Sequence, residues 1–220
     1  MRPFAVCVCF AAMVLCDRIV PKEPDHLYPV DVSRFPVYRA LLRKLEKTPF
    51  DCGRILDLTD FSDEWSISIY HQAFSAIPGA YFVAYIKAEN TLWGASGGGR
   101  FARGGQNVAV QRIDLTIPEK TANLLRQAFD IMLRETRALG HDERPRVMIG
   151  EGGSRQEFSL ELGRGHVVRG AIGDFAPAGP KLRTFQQLSA NLHAYCEGKI
   201  DHLRLLQKIE NDAAKIIGEE

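Results

Sequence analysis

From Ser62 to Ile117 apolar residues recur at every second position, and from Pro118 they recur at every third or fourth. That change of period confines the chain to a sheet with helices laid against it. Trp65, Ile67 and Ile69 alternate with Ser66, Ser68 and Tyr70, which predicts a strand, and a second runs from Ala80 to Ala88. A third is expected from Asn107 to Ile117, with Ile113, Leu115 and Ile117 on one face and Arg112, Asp114 and Thr116 on the other. A glycine-dense turn, Gly94 to Gly105, separates the last two.

Pro118 opens a long helix along Leu125, Ala128, Phe129, Met132, Leu133, Thr136 and Leu139, which Gly140 is expected to close. Short strands follow at Arg146 to Gly150, Gln156 to Leu162 and His166 to Ile172, the first two joined by a turn at Gly152, Gly153 and Ser154. A helix carrying Leu182, Phe185, Leu188, Leu192 and Tyr195 ends at Gly198, and a final helix occupies 199–217. Ahead of the sheet, Ser33 offers an N-cap and Pro36 a first turn for a helix ending near Thr48. Hairpins without βα alternation predict an α+β fold, an antiparallel sheet of about six strands with amphipathic helices on it. The order of elements reads as two similar strand-strand-helix halves.

The first sixteen residues carry one positive charge, Arg2, and then an apolar run from Pro3 to Cys16. This is too short to span a bilayer, which takes about 20 residues, and suits the apolar core of an export signal. It predicts a periplasmic or secreted protein with no transmembrane segment. The alternative is a buried first strand of a cytoplasmic protein. Lipid anchoring through Cys16 is disfavoured by Leu15, because a small residue normally precedes a lipidated cysteine. Residues 17–33, with Pro21, Pro24 and Pro29, read as an extended arm. The expected organisation is a signal at 1–16, the arm at 17–33, an α+β domain at 34–198 and a C-terminal helix at 199–220.

Charge narrows the partners. The 220 residues hold 28 basic and 27 acidic side chains, so no net field draws in DNA. No metal and no cofactor is expected: the six histidines occur singly, without CxxC or HExxH spacing.

Gly94, Ser96 and Gly98 satisfy the G-x-S-x-G pattern of serine hydrolases, with Asp174 and His193 downstream in triad order. The segment after Ser96 is glycine-rich and leads into a strand, whereas a nucleophile elbow leads into a helix; a hairpin loop is the plainer account. Arg100, Phe101, Arg103 and Arg112, with no acid among them from Gly97 onward, offer a loop that grips phosphate or stacks on RNA bases. The plainer account is again a solvated loop. Glu151, on a tight turn, reads as a hairpin tip. Of five cysteines, Cys7, Cys9 and Cys16 fall in the signal, leaving Cys52 and Cys196 to form a disulfide in an oxidising compartment.

Residues 112–198 resemble uncharacterised exported proteins of Gram-negative bacteria. The resemblance rests on the run Ile131-Met132-Leu133-Arg134-Glu135-Thr136-Arg137, the later glycine-rich strand, the Pro177 to Pro180 loop and the helix ending Tyr195-Cys196-Glu197-Gly198. It implies an envelope location and no activity. With no coherent catalytic set, the leading expectation is a non-enzymatic envelope protein that binds another protein, as an inhibitor or immunity protein binds a toxin. Its expected contact residues are Gly97, Arg100, Phe101 and Arg103. A serine hydrolase and an RNA-binding module are the alternatives.

Overall fold

The computed structural model of the chain describes residues 23–30, 39–58, 63–71, 80–89, 109–138, 155–163, 165–173, 178–198 and 201–218. The described elements are α1 (Arg39–Leu45), β1 (Gly53–Leu58), β2 (Trp65–His71), β3 (Tyr81–Ala88), β4 (Val110–Ile117), α2 (Glu119–Arg134), β5 (Arg155–Glu161), β6 (Val167–Gly173), α3 (Pro180–Glu197) and α4 (His202–Ile217). The fold is α+β. Six strands form one antiparallel sheet in the order β4-β3-β2-β1-β5-β6.

Alternation along the strands sends Ile55, Ile67, Ile69, Val83, Tyr85, Phe158, Leu160 and Ile172 to one face, where they form the main core with the stripes of α2, α3 and α4. At its centre Phe185 meets Phe129 and Phe158 at ring distances of 5.2 and 4.6 Å. Gly53 adopts φ +134°, and a Cβ there would meet the Phe129 ring at 2.8 Å, so a side chain at this position costs both backbone strain and packing. A smaller core on the opposite face joins Leu45, the last residue of α1, to Leu56, Leu58, Ile86 and Ala88.

The sequence missed β1. Its buried pattern is nearly continuous because it lies in the middle of the sheet, between β2 and β5, with core on both sides; no alternation of period two survives there. Among the described residues four strands precede α2 and two lie between α2 and α3. The long helix also ends earlier than Leu139. Thr136 N–H bonds back to Leu133 O, and Arg137 N–H donates to Leu27 O, so the arm takes the donor that another turn would have used. The expected strand at 146–150 and residues 1–16 lie outside the described residues.

The described part of the arm, residues 23–30, is packed on the fold. Leu27 is fully buried in the main core, Tyr28 exchanges backbone hydrogen bonds with Ala171 of β6, and Asp25 accepts from the Leu182 N–H in the first turn of α3. The last helix is equally integral, burying Leu205, Ile209, Ala213 and Ile216.

Candidate functional site

Strand register brings four of the chain's connections to one end of the sheet. Leu58 lies opposite Arg155, Asp57 opposite Trp65, Trp65 opposite Lys87, Ala88 opposite Val110, and Arg155 opposite Gly173. Segments 59–62, 90–108, 139–154 and 174–177 therefore all join the sheet at this same end. They carry Ser96, Gly97, Arg100, Phe101, Arg103, Glu151 and Asp174, all outside the described residues. The ends of segment 90–108 are tied together, since Glu89 N–H donates to Ala109 O at 3.0 Å.

On the helix side, the last row of this sheet end is polar apart from Trp65 and, on β6, Ile172. It reads Gln111, Lys87, Trp65, Asp57 and Gln156 across β4, β3, β2, β1 and β5. Gln156 donates to Asp57 Oδ2 at 2.7 Å, and Lys87 Nζ pairs with Asp63 at 3.3 Å. His193 descends onto this row from α3. Its ring stacks on Trp65 with centroids 4.3 Å apart, its Nε2 is hydrogen-bonded to the Tyr85 hydroxyl at 3.0 Å, and Glu197, one turn on, lies 3.6 Å from the same nitrogen. Burial first, then the Glu197 carboxylate, holds the Tyr85 phenol well above its ordinary pKa, so it keeps its proton through the physiological range. Chemically the group is a proton-sharing pair beside a carboxylate, with one face of the imidazole closed by indole.

Of Ser96, Asp174 and His193, the set a serine hydrolase would use, His193 alone is described, and its Nε2 is engaged by Tyr85. Trp65 and Tyr85 had no signal in the sequence beyond strand alternation, because only the register brings them to His193, and Asp57, on β1, had none. The one legible cue was the i, i+4 spacing of His193 and Glu197 on a helix. Arg112 is a strand residue held by Asp114 through a bidentate pair at 2.8 Å, so its charge is already answered. The bond expected between Cys52 and Cys196 is not formed: both thiols are free and buried. Cys52 lies beside Tyr81 at the far end of the strands, where β1 begins, whereas Cys196 neighbours Tyr85 and Glu197.

Elsewhere, buried polar groups serve the fold. Arg54, 3% exposed on the smaller-core face, donates to Ser68 Oγ and Glu46 O at 3.1 Å each and to Thr48 O, and its guanidinium lies 3.8 Å above the Phe50 ring. Burial lowers its pKa to about 10. An open cleft of about 480 Å³ runs between the end of α2 and the start of α3. Two of its cations are neutralised, Arg134 by Asp130 and Lys181 by Glu135. Among the described residues no cluster of three metal-ligating side chains occurs, and no helix is long and apolar enough to cross a membrane. No protein-family model, curated protein or solved structure matches the chain.

Proposed function

We propose that this chain is a non-enzymatic protein of the cell envelope that binds another protein, as an inhibitor or immunity protein caps a secreted toxin. The observation that carries this reading is the convergence of segments 59–62, 90–108, 139–154 and 174–177 on one end of a rigid sheet. Connections grouped on a stiff scaffold are where recognition residues are commonly carried. Segment 90–108, whose flanking residues Glu89 and Ala109 are held at that end, carries Gly97, Arg100, Phe101 and Arg103, and arginine and aromatic side chains dominate the energetics of protein interfaces. The buried polar groups Arg54 and Ser66 are meanwhile spent on backbone carbonyls within the fold.

The test has two arms. Cells expressing the full chain are fractionated and the intact mass measured, with a chain lacking residues 1–16 expected in the periplasm. The purified protein is then titrated with the toxin encoded beside its gene. A complex of equal stoichiometry is expected, and the variant Arg100→Glu/Phe101→Ala/Arg103→Glu should bind at least about tenfold more weakly while keeping its circular dichroism. Unchanged affinity in the folded variant removes this surface from the reading, and a cytoplasmic chain of full mass removes the envelope.

A serine hydrolase is the second reading, favoured by one observation. His193 stands at the same sheet end to which segments 90–108 and 174–177, bearing Ser96 and Asp174, are attached. Labelling of Ser96 by a fluorophosphonate, abolished in Ser96→Ala, would establish it in place of the binding reading.

A further inference from the structure

The two outer strands of the sheet are β4 and β6. The arm lies along β6 through Tyr28 and Ala171, whereas the described residues place no strand on the outer side of β4. The Glu89 N–H to Ala109 O bond continues the β3–β4 register. In an antiparallel ladder bonded and non-bonded pairs alternate, so the odd-numbered residues of β4 bond to β3. The backbone groups of Val110, Arg112, Asp114 and Thr116 therefore point outward. Tyr195, from the helix layer, donates to the outward Thr116 carbonyl at 3.0 Å and thereby caps that end of the edge. Between these limits the strand is exposed: Arg112 and Asp114 are each 44% exposed and Ile113 is 41% exposed.

We propose that β4 is the interface between two copies of this chain, paired antiparallel about a two-fold axis that passes between the two facing Ile113 residues. Outward backbone groups must meet outward groups, which leaves three two-fold registers that keep both Arg112 and Asp114 in the ladder. A centre on Arg112 sets that arginine against its own copy, and a centre on Asp114 sets carboxylate against carboxylate; like charges directly opposite are destabilising. The centre on Ile113 sets Arg112 opposite Asp114 of the partner subunit, and Asp114 opposite Arg112 of the partner subunit. Each ion pair within one chain then joins its copy in a ring of four alternating charges.

The same register places the two Ile113 residues at a non-bonded pair, where Cα atoms approach to about 4.5 Å. The isoleucines, on the helix side, cover one another. An isologous contact of this kind also removes the open edge at which a strand otherwise recruits unrelated chains. The inference is independent of the binding reading, because the interface runs along the side of the sheet and the converging segments leave from its end.

The experiment is light scattering on the purified full chain across a concentration series, with circular dichroism to verify the fold. The wild-type chain is expected to show twice its monomer mass. Asp114→Arg, which sets two arginines opposite one another, should weaken association at least about tenfold. The exchange Arg112→Asp/Asp114→Arg restores complementarity and should restore the dimer, which a merely structural role for either residue would not do. Should Asp114→Arg fail to fold, register decides: mild oxidation should cross-link Ile113→Cys above the background of the native cysteines, and Gln111→Cys should not. A wild-type chain that stays monomeric at about 100 μM, a folded Asp114→Arg variant that dimerises normally, or cross-linking of Gln111→Cys in place of Ile113→Cys overturns the proposal.

Discussion

The imidazole of His193 lies flat on the indole of Trp65, with planes 5° from parallel. A residue of α3 is thereby fixed against the first residue of β2, at the sheet end to which four connecting segments are attached. The Tyr85 hydroxyl anchors the same ring from β3 at 3.0 Å. Tyr85→Phe keeps the stack and deletes that bond. It should lower stability by about 1 kcal/mol, the net worth of one hydrogen bond, read as a fall in urea midpoint at unchanged slope. No change would mean that the stack alone positions His193.

Phe129 has no exposed surface and packs edge-on against Phe185. Phe129→Ala should cost about 3 to 5 kcal/mol. Gly53→Ala should also destabilise, through its positive φ and its 2.8 Å approach to the Phe129 ring. In the double variant the steric part is relieved and the strain part remains, so the two losses should sum to less than their separate values in denaturant titrations. Strict additivity would show that Gly53 is needed for its backbone alone.

Arg54 should tolerate neither alanine nor lysine. Alanine leaves Ser68 and the carbonyls of Glu46 and Thr48 without their buried donor, a loss of roughly 3 to 5 kcal/mol for removing one member of a buried charged network. A lysine cannot span three acceptors that a planar fork reaches together. Recovery of the wild-type melting temperature by Arg54→Lys would show that charge alone matters.

Burial pushes both free thiols, Cys52 and Cys196, up to about 12 from 9.0. Below pH 9 the thiols are protonated in the folded and unfolded chain alike, and they make no difference between the two. Above it the unfolded chain releases protons that the folded chain retains, so stability falls as pH rises from about 9 to about 12. The raised phenol of Tyr85 adds to the same slope. Replacing both cysteines with alanine should make the alkaline decline in urea midpoint shallower. In the native protein neither thiol should react with a thiol reagent at pH 8, and both should react after denaturation. A native disulfide would leave neither reactive in either state.

The sequence makes legible only the local part of the candidate site, the i, i+4 spacing of His193 and Glu197 on one helix. Trp65 and Tyr85, which join His193 there, show in the sequence as strand alternation alone. No spacing along the chain reveals that Trp65 is opposite Lys87, because pairing register is a property of two strands together.

What the sequence alone determined is the class of fold and the faces of its elements. Periods of two and of three to four decide which side of each strand and helix is apolar, and burial of those sides requires helices on an antiparallel sheet. Tertiary structure decided the rest. It inserted β1 between β2 and β5, where core on both faces erases alternation. It ended α2 early by giving the Arg137 donor to Leu27, and it kept Cys52 and Cys196 apart. Each of these outcomes depends on which segments compete for the same hydrogen bond or the same space, and such competition exists only once the chain has closed on itself.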